Sequence, residues 1–276
     1  MEELAKMMVG REIPTAFKGD HFCGETVVLE AKGLKAFDKQ RMRGLKSVSF
    51  EVHESEILGI AGIEGNGQSE LIEVLMGLRK PDEGEIFLDG KLITNATVHD
   101  RIEKGFSIIP EDRQKTGLVL DFSVAENIIL GRQDRPPFAK KWYGLNVEKE
   151  SELAQKLIQE YSIQTPTKET LARYLSGGTQ QRLIVAREFS RQPKFIIASQ
   201  PTRGLDIGAT EYVRRKLIEM RDKGCAILLI SADFDEVLAL SDRIAVIYDG
   251  RIISIRERGK TDELEIGLLM TGAAND

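Results

Sequence analysis

Residues 175–181 read Leu-Ser-Gly-Gly-Thr-Gln-Gln, and a helical pattern follows them. We expect a helix over residues 179–191, with the segment before it presenting backbone N–H groups that have no partner within the helix. Ser176 adds a hydroxyl there, and no side chain hinders the N–H groups of Gly177 and Gly178. Because a helix N-terminus of this kind binds anions, the stretch predicts a phosphate contact. An ordinary loop with Ser176 near the cap position would give the same pattern.

A second glycine-rich loop occupies residues 62–69, Gly-Ile-Glu-Gly-Asn-Gly-Gln-Ser, after a short apolar run at residues 57–61. Apolar residues at helical spacing continue to Met76. Strand, glycine loop and helix are the context of a P-loop, whose backbone N–H groups turn inward on a phosphate. A tight strand-to-helix turn is the alternative. Gln68 stands where the P-loop pattern has lysine, which removes a charge-assisted contact of about 1.5–3 kcal/mol.

The order and spacing of these segments resemble those of ATP-binding-cassette (ABC) ATPases. Residues 62–69 match the phosphate loop, residues 175–181 the signature motif, and the apolar run Phe-Ile-Ile-Ala-Ser-Gln at residues 195–200 the Walker B strand. The sequence Pro-Glu-Asp-Arg at residues 110–113 stands where other ABC domains have their Q-loop, with Glu111 in place of the glutamine. This sequence is typical of the second cassette of tandem-cassette ATPases that drive bacterial importers of simple sugars and nucleosides. The resemblance covers residues 26–272.

The resemblance implies an α/β fold of the P-loop NTPase class and the ABC type. We expect a mixed sheet core, an N-terminal antiparallel β patch that includes residues 26–30 and 47–52, and an inserted helical subdomain at about residues 122–176. The nucleotide-binding domain would span residues 25–276, and residues 1–24 would be the tail of a preceding cassette plus a linker. Phe37 lies near the position of an adenine-stacking aromatic residue, but we expect it to pack in the core instead.

Four catalytic positions of the family carry other residues in this chain. Gln68 replaces the lysine, and Ala232 replaces the switch histidine. Ser199 and Gln200 stand at the positions of the Asp that orients Mg²⁺ and the Glu that polarises the attacking water. Gln200 can hold a water but cannot take its proton, and a missing general base costs about 10²–10⁴-fold in rate. We therefore expect no intact catalytic residue and almost no ATP hydrolysis by this cassette alone.

The same resemblance implies two sets of contacts. ATP or ADP in the chain's own site would be bound by Gly62, Gly65, Asn66, Gly67, Gln68, Ser69, Glu70 and Glu111, with Mg²⁺ at the Ser69 hydroxyl. Nucleotide held by a partner cassette would be contacted by Leu175, Ser176, Gly177, Gly178, Thr179, Gln180 and Asp206. The chain would then complete the ATP site of a partner while keeping a degenerate site of its own.

The beginning of the chain repeats its end. Residues 3–10, Glu-Leu-Ala-Lys-Met-Met-Val-Gly, resemble residues 265–272, Glu-Ile-Gly-Leu-Leu-Met-Thr-Gly, with Glu, Met and Gly in register. Eight residues can match by chance, but with the family resemblance the repeat predicts the C-terminal half of a duplicated protein. The implied partners are the N-terminal cassette of the same polypeptide, two transmembrane permease subunits and, indirectly, an extracytoplasmic substrate-binding protein. The permeases would dock near Glu111 and the proline-bearing loop of residues 132–142, which holds Trp142.

Composition agrees with a soluble module, and the family resemblance implies a peripheral position on the cytoplasmic face of a bacterial inner membrane. The 276 residues carry a net charge of −5, which argues against a broad nucleic-acid surface. No apolar run reaches the roughly 18 residues that a membrane span needs. Cys23 and Cys225 have no pairing or metal-ligand spacing, so we expect reduced thiols and no structural zinc.

Two other functions share parts of this pattern. A soluble ABC ATPase of translation or DNA repair would have the same fold, but repair members need a long coiled coil and translation members keep intact Walker residues. A regulatory or structural ABC module would bind no nucleotide at all, so a direct ATP-binding measurement separates it from a degenerate cassette. For an importer, residues 65–71 look more like the nucleoside branch than the ribose branch, which often has arginine at the Gln68 position.

Overall fold

The computed structural model describes residues 24–38, 43–140, 144–260 and 263–272. The strands in these ranges are β1 Val27–Asp38, β2 Arg43–His53, β3 Ile57–Ala61, β4 Glu83–Leu88, β5 Lys91–Leu92, β6 Phe106–Ile109, β7 Phe195–Ser199, β8 Ala226–Ile230, β9 Arg243–Tyr248 and β10 Arg251–Glu257. The α-helices are α1 Gln68–Met76, α2 Val98–Glu103, α3 Val124–Ile129, α4 Val147–Glu160, α5 Gly177–Phe189, α6 Ile207–Asp222, α7 Phe234–Leu240 and α8 Glu263–Thr271. Each of these helices is too short or too polar to span a bilayer.

The described residues form two compact units. One, here called the sheet unit, contains residues 24–106, Lys194–Gln200 and the chain from Leu217 onward. The other, here called the signature unit, contains Ser107–Pro193 and Pro201–Lys216. The glycine loop and the Walker B residues of the sequence analysis lie in the sheet unit. Glu111, residues 175–181 and Asp206 lie in the signature unit.

Two sheets organise the fold. A four-stranded antiparallel sheet has the order β2-β1-β4-β5, and a six-stranded mixed sheet has the order β10-β9-β3-β8-β7-β6. Strand β3 runs parallel to β8 and β9, and β7 runs parallel to β8. All residues of β3, β7 and β8 are buried, as expected for parallel strands covered on both faces. The predicted α/β class, with its mixed core sheet and N-terminal antiparallel patch, is confirmed.

Helix α1 has a defined beginning and end. It starts after Gly67, whose φ of 111° is in the left-handed region that glycine adopts without strain, and it ends at Gly77 with φ 78°. The fully buried Arg101 donates to the carbonyl oxygens of Val74 (2.9 Å), Ile93 (3.1 Å) and Thr94 (3.0 Å). Burial lowers the pKa of Arg101 to about 10. The buried cation thus satisfies carbonyls in the last turn of α1 and in the segment after β5.

The signature unit is built around α5. Its core contains the buried Glu188, which accepts hydrogen bonds from Arg187 Nε (2.7 Å) and Arg191 Nη1 (3.1 Å). Burial alone would raise the pKa of Glu188, but the two arginines hold it below its ordinary value. Arg132 Nη2 donates to Ser190 Oγ (3.1 Å) at the end of α5.

Two sequence predictions are wrong in detail. Phe37 does not pack in the core, because 49 % of it is exposed on the antiparallel sheet. Helix α5 begins at Gly177 and not at Thr179, because Ser176 takes the cap position. The loop of residues 132–138 is non-helical as expected, but Phe138 is buried and Arg132 is turned into the unit, so only part of the loop is surface.

Some predictions fall outside the described residues. They concern Trp142, Cys23 and the repeat at residues 3–10. The proposed domain limits at residue 25 and at about 122–176 stay predictions.

Candidate functional site

The carboxyl ends of three parallel strands meet at one edge of the mixed sheet. Ile60 of β3 lies opposite Ile230 of β8, and Ile230 lies opposite Ser199 of β7. Neighbouring strands are about 4.8 Å apart, so the residues that follow them are close together. These are the glycine loop after β3, Gln200 after β7 and Ala232 after β8. Ligands of open α/β sheets bind outside this edge, so the predicted site residues of the sheet unit share one ligand-accessible place.

Asn66 holds the glycine loop in shape. Its Nδ2 donates to the carbonyl of Ile63 (3.0 Å), and its Oδ1 accepts from the N–H of Asp249 (2.9 Å). The carbonyl of Asn66 also accepts from the N–H of Gly250 (3.0 Å). Residues 249–250 form the turn between β9 and β10, so this turn braces the loop. The Asp-Gly pair in the sequence is a hairpin signal, but it does not reveal a contact with residue 66.

Gln68 folds back over the glycine loop. Its Oε1 accepts from the backbone N–H of Asn66 (3.0 Å), and its Nε2 donates to the carbonyl of Ile63 (3.0 Å). A Cβ placed on Gly62 would lie 3.0 Å from Nε2, so the amide group lies directly over that glycine. Lysine could replace the donor of this pair but has no acceptor. A lysine at this position could therefore not make the bond to the Asn66 N–H.

The loop and the beginning of α1 fit a phosphate group. Helix α1 has nine residues, and the N–H groups of its first turn, at Gln68, Ser69 and Glu70, have no partner within the helix. Gly65 and Ser69 are exposed, whereas Glu70 is 5 % exposed. No cluster of three His, Cys, Asp or Glu side chains suited to a metal occurs in the described ranges. The exposed Ser69 offers a hydroxyl at the beginning of α1 that could ligate a divalent cation.

Gln200 and Ala232 are joined by a hydrogen bond. The N–H of Ala232 donates to Gln200 Oε1 (3.0 Å), and the N–H of Gln200 donates to the carbonyl of Ile230 (2.7 Å). Gln200 has a left-handed φ of 47°, a conformation that costs a non-glycine residue about 1–2 kcal/mol. The preceding residue, Ser199, is 3 % exposed at the end of β7. The amide can hold water but has no basic group.

In the signature unit, Ser176 caps helix α5. Its Oγ accepts from the N–H of Thr179 (3.3 Å) and donates to Thr179 Oγ1 (3.0 Å). Gly177 and Gly178 form the first turn of α5, so their N–H groups lack intrahelical partners. Gln180 is 2 % exposed, and its Nε2 donates to the carbonyl of Ala172 (3.0 Å). Its side chain is thus directed into the unit, where it positions the helix.

A hydrogen bond and an ion pair, together called the clasp here, join the Pro-Glu-Asp-Arg segment to the segment before α6. Neither contact was predicted from the sequence. Arg113 Nη1 donates to the carbonyl of Arg203 (3.0 Å), and the Arg203 side chain is ion-paired with Glu111. Arg113 also lies against the first turn of α5, because a Cβ on Gly177 would be 2.9 Å from its Nη2. Asp206 Oδ1 accepts from the N–H of Ala209 (2.8 Å) near the start of α6. The clasp links residues 90 positions apart, so no local pattern indicates it.

Comparison with known proteins yields one family and a group of related proteins. A family model described as ABC transporter matches residues 45–203. The chain is 47 % identical over 277 residues to the guanosine import ATP-binding protein NupO of Bacillus subtilis (strain 168), with 99 % of this chain and 53 % of that protein covered. It is 44 % identical over 272 residues to the nucleoside import ATP-binding protein NupA of Lactococcus lactis subsp. cremoris (strain MG1363), covering 98 % and 53 %. The chain spans about half the length of the curated relatives it matches.

Solved structures show the same architecture. A crystal structure of a nucleotide-free ATP-binding cassette from an ABC transporter matches with a TM-score of 0.71 and 26 % identity, covering 89 % of this chain and 95 % of that one. A dimeric ATP-binding cassette in a post-hydrolysis state, bound to ADP and Pi, matches with a TM-score of 0.69 and 23 % identity, covering 84 % and 100 %. The second match bears on the fold alone.

Proposed function

Since the chain belongs to the ABC transporter family of ATP-binding domains, we propose that it is the C-terminal cassette of a tandem import ATPase. In this proposal it supplies an intact signature motif to the ATP site of the first cassette and keeps a degenerate site of its own. Two observations support the tandem arrangement. The chain spans 53 % of both nucleoside-import relatives, and residues 3–10 resemble residues 265–272, with Glu, Met and Gly in register.

The proposal that this site is degenerate rests on one observation, the hydrogen bond between Gln200 and Ala232. In an active cassette the position of Gln200 holds the carboxylate that polarises the attacking water. The position of Ala232 holds the switch histidine. Here an amide oxygen accepts from a backbone N–H (3.0 Å), and neither residue can accept a proton. Ser199 lacks the carboxylate that would orient Mg²⁺. Gln68 lacks the ammonium group that would contact the β- and γ-phosphates. The site would therefore bind nucleotide without hydrolysing it rapidly.

The residues of the signature motif keep what phosphate binding in trans requires. Ser176 brings a hydroxyl, and Gly177 and Gly178 bring N–H groups at the beginning of a 13-residue helix. Such donors stabilise the charge that develops during phosphoryl transfer. Asp206 would reach across the dimer interface beside them. The first cassette would supply the lysine, carboxylates and histidine, which gives one competent ATP site in the pair.

The degenerate site would hold ATP or ADP, with Mg²⁺ at Ser69, through the residues named for it in the glycine loop and at the start of α1. We expect a Kd of roughly 10 μM to 1 mM, which corresponds to about 4–7 kcal/mol. A chain that binds no nucleotide at all would instead be the regulatory or structural module.

The transported substrate would be a nucleoside, with simple sugars as the alternative class. The relatives named for guanosine and nucleoside import are 47 % and 44 % identical to the chain, whereas a ribose import ATP-binding protein of Halalkalibacterium halodurans is 35 % identical. Two transmembrane permeases would dock near Glu111, and an extracytoplasmic binding protein would deliver the substrate. The chain would lie peripherally on the cytoplasmic face of the inner membrane, without a nucleic-acid partner.

The experiment that tests this function compares ATP turnover by the chain alone with turnover by the chain together with the first half of its parent protein. We expect phosphate release only from the combination, because only there does an intact signature face an intact catalytic site. Equal rates in the two samples would contradict the proposed division of roles.

A further inference from the structure

We propose that Gln68 competes with nucleotide for the phosphate-binding loop. Its side-chain oxygen occupies an N–H donor of the loop, so a bound phosphate has to displace the side chain. This inference rests on the proposed nucleotide site. It adds that the Gln68 side chain lowers the affinity of that site for nucleotide. Gln68 would act as an internal ligand of the loop, and not merely as the absence of a lysine.

The contact that carries the proposal joins Gln68 Oε1 to the N–H of Asn66 (3.0 Å). The same N–H makes a second, longer bond to the carbonyl of Ile63 (3.3 Å), so Gln68 Oε1 is its nearer acceptor. A P-loop binds phosphate through N–H groups of this kind. The same amide group donates through Nε2 to the carbonyl of Ile63 (3.0 Å) and lies over Gly62. Both hydrogen-bonding groups of the side chain are thus used within the loop, across the space between Gly62 and Asn66.

Contacts other than those of Gln68 also hold the loop in shape. Asn66 is held by the N–H of Asp249 (2.9 Å), by the N–H of Gly250 (3.0 Å) and by its own bond to the Ile63 carbonyl (3.0 Å). Gly67 and the β9–β10 turn are in close contact, since a Cβ on Gly67 would be 3.3 Å from Gly250 Cα. Removing the Gln68 side chain should therefore leave the Asn66 N–H with only its longer bond to the Ile63 carbonyl (3.3 Å), without collapsing the loop.

The effect of removing the Gln68 side chain on nucleotide affinity shows whether Gln68 only lacks a charge or also occupies a donor. If Gln68 only lacks the charge of lysine, Gln68→Ala loses whatever contact the amide makes with phosphate and binds no better than wild type. If Gln68 occupies a donor, Gln68→Ala exposes it and binds nucleotide more tightly. Displacing one neutral hydrogen bond corresponds to roughly a two- to tenfold change in affinity.

The test is calorimetric titration of the 276-residue chain with Mg-ATP and Mg-ADP. Gln68→Met accompanies Gln68→Ala because it keeps the length of the side chain and removes both hydrogen-bonding groups. We expect both variants to bind roughly two- to tenfold more tightly than wild type, and Gln68→Lys to bind more tightly still. Asn66→Ala is the contrasting variant within the same loop, and it should bind more weakly because the brace is lost. Circular dichroism establishes that each variant is folded.

The outcomes separate the inference from the function on which it rests. Folded Gln68→Ala and Gln68→Met chains with wild-type or weaker affinity overturn the competition, and a simultaneous gain in Gln68→Lys leaves the nucleotide site intact. A gain in Gln68→Ala alone also overturns it, because the cause would be space and not the hydrogen bond. If no variant binds nucleotide, including Gln68→Lys, the proposed nucleotide site fails together with the inference.

Discussion

The backbone N–H of Ala232 donates to the side-chain oxygen of Gln200 across 3.0 Å. Because a backbone N–H can only donate, the orientation of the Gln200 amide follows from this bond. The bond connects the ends of β7 and β8, which are neighbours in the sheet. A structural hydrogen bond thus joins the two residues that we propose as degenerate catalytic positions.

Restoring the carboxylate alone should recover little activity. Gln200→Glu keeps an acceptor for the Ala232 N–H, so we expect a folded protein. Its ATP turnover should rise less than about tenfold, because residues that act as a catalytic unit do not contribute additively and Gln68, Ser199 and Ala232 are unchanged. Phosphate release from the isolated chain is the measurement, with Gln200→Ala as the control that loses the acceptor. Full activity in Gln200→Glu would show that the other three positions do not limit the site.

Charge reversal at Glu111 should uncouple ATP turnover from transport. Glu111 and Arg203 are both exposed, and such a pair contributes less than about 1 kcal/mol, so Glu111→Lys should fold normally. In vesicles with the assembled transporter we expect ATP hydrolysis with little substrate uptake, since this surface would meet the permeases.

The charge-swapped double variant, Glu111→Lys with Arg203→Glu, separates docking from the ion pair. If docking is the role of Glu111, the swap restores the pair but not the coupling. Normal uptake by Glu111→Lys, or uptake regained in the swap, would rule out the docking role.

The buried Glu188 should make stability depend on pH. Its pKa in the folded chain lies below the ordinary value of 4.5, because Arg187 and Arg191 outweigh the effect of burial. A lowered folded-state pKa stabilises the protein above about pH 5, and this stabilisation is lost as the pH falls through that pKa. Glu188→Gln should cost about 3 kcal/mol at pH 7, since two buried arginines lose their charged partner.

Urea unfolding from pH 7 to pH 3 measures this effect. The difference between wild type and Glu188→Gln should shrink toward pH 3, whereas Glu160→Gln, on an exposed position of α4, should show little difference throughout. A constant difference across the pH range would mean that the charge of Glu188 does not stabilise the fold.

Apolar periodicity and glycine positions predicted strands and helices whose limits depend on residues close together in the sequence. The strand at residues 57–61 and the helix that ends at Met76 follow from apolar periodicity and from the glycines at both helix ends. The beginning of α5 was misplaced by two residues because a cap is decided by the Ser176 hydroxyl and not by periodicity. Phe37 was misjudged because sequence does not tell which face of a two-sheet fold is covered.

In the candidate site, the residues could be selected from the sequence, but their side-chain contacts could not. Gln68, Gln200 and Ala232 were selected because each stands at a catalytic position of the motifs that the sequence resembles. Their contacts could not be selected, because the bonds of Asn66 to residues 249–250 and of Arg113 to Arg203 join distant parts of the chain. Such contacts arise from side-chain packing between segments that are far apart in the sequence, which a local pattern does not indicate.

In the proposed function, the signature motif of this chain contacts the nucleotide of a partner cassette. Filling the space in front of α5 should therefore stop hydrolysis that takes place in the other half. Ser176→Arg places a long side chain where the partner's phosphate would lie, and it also removes the cap of α5, which is worth about 1 kcal/mol. Ser176→Ala loses the same cap without the bulk, and Ser162→Arg adds the same charge on the exposed turn after α4.

The deciding measurement is the ATP turnover of each variant chain combined with the first half of its parent protein. We predict that Ser176→Arg lowers turnover roughly 100-fold or more, in the range found when transition-state donors are lost. Ser176→Ala should fall between Ser176→Arg and wild type, and Ser162→Arg should match wild type. If the combination containing Ser176→Arg hydrolyses ATP at the wild-type rate, the signature of this chain does not complete its partner's site and the proposed division of roles is wrong.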